Sequence, residues 1–221
     1  LLLLLYRAFH YAIVRKRKAA MHQKNANAAA DAAYQFLVKL LAMQGIRQGG
    51  MPHEVFADVN KWCAKACPEM AMGVGSVVDP ATAALYIQLG ANFIVSPSLN
   101  PDMAKICNRR KIGWLPGCGT LSEINLAEEL GCEIVKIFPG KEVGGPSFVK
   151  AIKAPCPWTN IMPSGGVAPE RESLEAWFKA GVVCVGLGSQ LTPKDVIAAG
   201  DFGFIENKVR ESLDIVKELR K

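Results

Sequence analysis

The 221 residues suit one large domain or two small ones, and half of them are hydrophobic, enough for a closed core. There are 26 Lys and Arg against 20 Asp and Glu, a net charge of +6 and a pI near 9.0; the excess is divided between Arg15-Lys16-Arg17-Lys18 and scattered lysines, with no aromatic platform or base-reading motif, so no nucleic-acid partner is expected and the charge reads as surface charge that helps attract an anionic substrate. No apolar run approaches the roughly 20 residues that span a bilayer, and Leu1 to Leu5 is too short for the apolar part of a signal peptide, so no membrane partner and a cytoplasmic location are expected.

Residues 1–50 carry the weakest signals. A leucine run leads into Tyr6-Arg7-Ala8-Phe9-His10-Tyr11-Ala12-Ile13-Val14, which suits a helix running into a short strand, and then comes the basic cluster. The alanine-rich stretch 25–43 has Tyr34, Leu37, Val38 and Leu41 at helical spacing. Gln44 to Gly50 reads as a weak strand or loop. Over 52–67, Val55, Phe56, Val59 and Trp62 share one face, and Pro52 suits a first helical turn.

From residue 70 a pattern repeats. Predicted strands over 70–78, 92–97, 112–118, 133–138, 159–166 and 182–189 alternate with helices opened by Asp79-Pro80, by Asn100, by the capping box Thr120-Leu121-Ser122-Glu123, and near Pro146. A further helix passes through Leu174, Trp177 and Phe178, and a last one covers 206–219. Six strand-and-helix units recurring every ~20 to 26 residues are the mark of a parallel sheet. If residues 1–50 supply two more units, the sheet closes as a single-domain (β/α)8 TIM barrel spanning 1–221; a doubly wound open sheet is the alternative.

The seven cysteines are odd in number and irregularly spaced. Cys63 and Cys67 lie one helical turn apart with no second pair, and His10, His22 and His53 are dispersed, so no metal is expected; the thiols read as buried side chains of a reducing compartment.

Each predicted strand ends in small or turn residues: Gly-Ser, Ser-Pro, Pro-Gly, Pro-Gly, Ser-Gly-Gly and Gly-Ser. Such endings free backbone amides and let a ligand approach where the strands finish. Ser164-Gly165-Gly166 and Gly188-Ser189 follow what would be strands seven and eight, where barrels build phosphate sites. Within Glu133-Ile134-Val135-Lys136-Ile137-Phe138-Pro139-Gly140, one lysine sits among apolar β-formers. A buried ammonium is costly unless its pKa falls, and a lysine with a lowered pKa makes Schiff bases with carbonyl compounds. The alternative is a stem that packs while the head snorkels out of the strand end.

In order and spacing, Gly73-Val74-Gly75-Ser76-Val77, Val95-Ser96-Pro97, Trp114-Leu115-Pro116-Gly117, Val135-Lys136-Ile137-Phe138-Pro139, Met162-Pro163-Ser164-Gly165-Gly166-Val167 and Gly186-Leu187-Gly188-Ser189 resemble the 2-keto-3-deoxy-6-phosphogluconate / 4-hydroxy-2-oxoglutarate aldolases, over about residues 52–191. The resemblance implies a class I aldolase on a (β/α)8 barrel, a homotrimer without cofactor or metal, that cleaves a phosphorylated keto acid to pyruvate and glyceraldehyde 3-phosphate. It makes Lys136 the Schiff-base lysine, puts Ser76, Pro97 and Phe138 at the substrate, and gives the phosphate to Ser164, Gly165, Gly166, Gly188 and Ser189.

The first fifty residues depart from that family. It uses a glutamate at the end of strand two as acid/base, and an arginine four residues later for the substrate's anionic groups. Counting back from His53-Glu54-Val55-Phe56 puts these positions near Gln44 and Gln48; a one-residue slip makes Arg47 the substrate-binding arginine but leaves Met43 for the glutamate. Glu54 falls on the following helix and is no substitute. The usual first strand is missing too. Either the stretch has diverged, weakening aldolase activity, or it is wrongly recorded. The rivals to a lyase are an inactive paralogue that binds a keto acid or sugar phosphate, and a barrel isomerase or synthase with the same phosphate loops but no need of Lys136.

Overall fold

The computed structural model describes residues 52–66, 68 and 70–220. The expected helix over 25–43, the basic cluster, Met43, Gln44, Arg47 and Gln48 lie outside them. The described chain begins with α1 (Pro52–Ala66) and continues through β1 (Gly73–Val74), α2 (Pro80–Gln88), β2 (Phe93–Val95), α3 (Pro101–Arg110), β3 (Gly113–Leu115), β4 (Gly117–Cys118) and α4 (Leu121–Glu129). β5 (Val135–Ile137), α5 (Gly145–Lys153), β6 (Ile161–Pro163), α6 (Arg171–Lys179), α7 (Lys194–Ala199) and α8 (Phe202–Leu219) follow.

Local chemistry sets these starts. Asp79 caps α2 by accepting from the Thr82 N–H at 2.8 Å, and Asn100 caps α3 by accepting from Asp102 and Met103; each has proline next, at a position that needs no N–H donor. At α4 the Thr120 hydroxyl accepts from the Glu123 N–H at 3.2 Å. The Glu123 carboxylate reaches back one residue further than a capping box requires, to the Gly119 N–H at 2.8 Å. Two helices differ from expectation. α8 begins at Phe202 rather than Glu206, and α7 precedes it as a six-residue helix, too short for its periodicity to show.

Among the described residues all strand pairs are parallel, with Gly73↔Phe93, Val95↔Leu115, Gly117↔Lys136 and Lys136↔Met162 in register. β3 and β4 are one predicted strand broken at Pro116. Segment 182–189 forms no strand: the Val183 and Gly186 N–H groups donate to Ile161 and Pro163 carbonyls, and Ser164 and Gly186 make a single bridge. Six successive segments therefore stand side by side in chain order. A doubly wound sheet reverses its order near the middle, and no reversal occurs among the described residues.

Side-chain alternation divides the sheet into two faces. Ile94, Trp114, Val135, Ile137 and Ile161 join a large cluster with helix residues such as Met103, Ile124, Val149, Leu174 and Val209. Phe93, Val95, Leu115, Ile134, Met162 and Cys184 form a second cluster with no helical member, supported by Ala71 and Val183. Helices cover one face, and the other packs on itself as the sheet curves. Among the described residues, no helix is long and apolar enough to cross a membrane.

Candidate active site

Lys136 is the middle residue of β5. Alternation puts it on the same face as Ile134, and its register partners are Gly117 and Met162. It is 5% exposed, so the side chain lies inside the curved sheet instead of snorkelling into solvent. Burial lowers the amine's pKa from its ordinary 10.5 to about 8. At pH 7 roughly one amine in ten is then uncharged, some two orders of magnitude more than for a solvated lysine.

Among the described residues, two groups face the Nζ. The Phe138 ring centroid lies 4.3 Å away, a cation–π contact that opposes the effect of burial without cancelling it. At a long 3.4 Å, Nζ donates to the Ser96 carbonyl. Continuing the β2–β3 register past Val95↔Leu115 would offer that carbonyl the Gly117 N–H. The strand breaks at Pro116 instead, and the lysine reaches the carbonyl two segments away. Sequence reasoning missed this acceptor, because a backbone carbonyl leaves no side-chain signature; the only hint is Pro97 directly after it.

Pro97 is half-buried where β2 ends. Its carbonyl oxygen would be 2.1 Å from a Cβ at position 117, so only glycine lets β4 pass this close to the proline. Phe138 links the amine to the next strand end, its ring edge 3.5 Å from where a Cβ of Gly165 would stand. The Gly140 and Lys141 N–H groups donate to the Ser164 and Gly165 carbonyls at 2.9 and 3.1 Å, joining the turn after β5 to that after β6. Gly165 and Gly166 have φ of 87° and 76°, a conformation costly for residues with a Cβ. Lys136, Phe138, Ser164, Gly165 and Gly166 are thus neighbours.

Gly188 and Ser189 follow Gly186, the bridge partner of Ser164, which puts them at the adjacent segment end. A Cβ at Gly188 would meet nothing within 4 Å, leaving open space there. Ser76 lies two residues past β1 in a left-handed conformation (φ 60°) and is exposed; no hydrogen bond joins it to Lys136. Arg47 lies outside the described residues.

No three His, Cys, Asp or Glu side chains group as a metal site would require, among the described residues. Burial pushes the Cys107 thiol up to about 11 and those of Cys118 and Cys184 up to about 12, which leaves them unreactive at neutral pH.

A profile of the "KDPG and KHG aldolase" family matches residues 21–208, starting well before the motif-bearing stretch 52–191. The KHG/KDPG aldolase of Escherichia coli K12 is 32% identical over 183 residues, 82% of this chain and 85% of that protein. The 2-dehydro-3-deoxy-phosphogluconate aldolase of Pseudomonas aeruginosa is 34% identical over 155 residues, 70% of this chain and 69% of that one. Among solved structures, the KDPG aldolase of Legionella pneumophila, with pyruvate captured as a covalent carbinolamine, superposes with a TM-score of 0.66 at 22% identity, covering 81% of this chain and 87% of that one. Thiamine phosphate pyrophosphorylase from Pyrococcus furiosus has a related shape, with a TM-score of 0.58 at 14% identity over 84% of this chain and 90% of that one, so shape alone does not select a chemistry. The family profile and the relatives at 32% and 34% identity do: the chain belongs to the KDPG and KHG aldolase family, a family of carbon–carbon lyases.

Proposed function

We propose that this protein is a class I aldolase that cleaves 2-keto-3-deoxy-6-phosphogluconate-type substrates to pyruvate and glyceraldehyde 3-phosphate. The observation that carries this reading is the Lys136 amine, enclosed by the inner face of the sheet and held by burial near a pKa of about 8. The uncharged Nζ attacks the substrate's C2 ketone, and the carbinolamine takes up a proton and loses water to give a protonated imine. The C4 hydroxyl gives its proton to water, the C3–C4 bond breaks, and its electron pair moves into the imine as an enamine while the aldehyde departs. Protonation at C3 and hydrolysis of the imine then release pyruvate and restore the amine. An imine is the better electron sink because it carries its positive charge before the bond breaks.

In this reading Pro97, Phe138 and Ser76 line the substrate end, with Arg47 as a further contact, and Ser164, Gly165, Gly166, Gly188 and Ser189 hold the phosphate through amides and hydroxyls. The link from Lys136 through Phe138 to Gly165 supports this division. A closed eight-stranded barrel in a single domain, two of its units drawn from residues before 52, belongs to the same proposal, supported by the unbroken chain order of the six described segments. A homotrimer and a cytoplasmic location complete it, the latter supported by the buried free thiols of Cys107, Cys118, Cys132, Cys156 and Cys184.

Incubation with pyruvate and sodium borohydride should leave a stable carboxyethyl adduct on Lys136, found by peptide mass mapping. No adduct, or one on another lysine, overturns the proposal. A second reading, binding without turnover, is favoured by Gln44 at the family's glutamate position, since an amide exchanges no proton at neutral pH. Pyruvate release from the phosphorylated keto acid separates the two readings.

A further inference from the structure

We propose that Lys141 is a specificity residue for a phosphorylated substrate, an ammonium carried on the rim of the glycine pair where the substrate's phosphate would lie; this rests on the aldolase reading above. Lys141 follows β5 by four residues and is anchored through its own backbone, the N–H donating to the Gly165 carbonyl at 3.1 Å. Its stem then crosses the next glycine. Cβ of Lys141 lies 2.3 Å, and Cγ and Cδ each 3.2 Å, from where a Cβ at Gly166 would stand. The missing side chain at 166 is thus what allows the lysine stem to lie along the loop, with the ammonium two bonds beyond Cδ.

Among the described residues no carboxylate claims that ammonium. Lys141 is exposed, and among the described residues it takes part in none of the ion pairs, which involve Lys105, Arg171, Lys179, Lys208, Arg210 and Lys217. A cation anchored at one end and unpaired at the other has little of its charge neutralised before an anion arrives. A phosphate dianion on the Gly165 and Gly166 loop would receive it as a charge-assisted donor added to those the backbone supplies. Because the site is open to water, the gain is modest and sensitive to salt.

Steady-state cleavage of 2-keto-3-deoxy-6-phosphogluconate and of its unphosphorylated counterpart should be compared in the unaltered protein, in Lys141→Met, which keeps a stem without charge, and in Lys141→Arg, which keeps the charge. The expected result is that Lys141→Met raises KM for the phosphorylated substrate about fivefold, leaves kcat and the unphosphorylated substrate within about twofold, and is largely rescued by Lys141→Arg. In ~0.5 M salt the difference should shrink below about twofold. Equal losses on both substrates, or none on either, overturn the proposal. Equilibrium binding of glycerol 3-phosphate, with glycerol as control, gives a readout free of turnover. Should the unaltered protein fail to cleave either keto acid while Lys141→Met still weakens glycerol 3-phosphate binding about fivefold, the lyase reading falls and the role of Lys141 stands. Cleavage together with glycerol 3-phosphate binding indifferent to Lys141→Met removes Lys141 alone; no binding to the unaltered protein overturns the role of Lys141.

Discussion

Along β5 and β6 the inner face changes character within one side-chain repeat. One layer holds Phe93, Leu115, Ile134 and Cys184, packed and nearly dry, and Met162 stands level with Lys136 at its edge. The next step along the strands brings Lys136, then Phe138, and beside them Ser164 and Gly165, with carbonyls, amides and open space in place of close-packed carbon. The two layers depend on each other. Apolar packing around Lys136 excludes the water that would keep it charged, and the shortness of the strands leaves the rim to turns whose backbone groups pair with one another. A lysine in the rim without that floor would be an ordinary cation; the floor without the lysine would be only core.

Removing the lysine breaks the contrast most sharply. Lys136→Met should abolish borohydride trapping and lower cleavage by at least ~10⁴-fold while the protein stays folded. The same change should stabilise the fold at pH 7 by about 1 to 3 kcal/mol in denaturant titrations, since the buried ammonium costs folding energy there. The sign follows from the pKa: near 8 in the folded chain against an ordinary 10.5, the unfolded chain holds the extra proton between those values. Stability contributed by Lys136 therefore rises with pH across that window, and the Met variant should lose the slope.

Opening the floor should cost less. Met162→Ala should destabilise by about 2 to 5 kcal/mol through the cavity it leaves. Water admitted next to Lys136 should also move the pH midpoint of trapping upward from about 8. In the unaltered protein, trapping rates should climb about tenfold per pH unit below that midpoint and level off above it. A midpoint near 10.5 would mean that the floor does nothing to the amine. As a small control, Thr120→Ala should cost about 1 kcal/mol by removing the α4 cap and leave trapping unchanged.

The helices were legible because their signals are local. Asp79-Pro80, Asn100-Pro101 and Thr120 through Glu123 each carry a cap in the side chains themselves. α7 was missed although Pro193 and Gly200 bracket it, since six residues hold too little of a 3.6-residue period. The strands were found but drawn too long. Apolar content marks what is buried, whereas ladder pairing also needs N–H groups and regular geometry, which Pro116 and the glycines near 186 interrupt. Lys136 stood out because one charge in an apolar run has few stable explanations. The Ser96 carbonyl and the position of Lys141 over Gly166 did not, because both arise from contacts between segments far apart in the chain.

The paired amide bonds from Gly140 and Lys141 to the carbonyls at 164 and 165 have a mechanical consequence. They lace two turns into one stiff plate, so a tug on one end is felt at the other without any hinge. Slow deuterium uptake at those two amides would register the plate's rigidity directly, and its loosening in any variant could be followed with no substrate present.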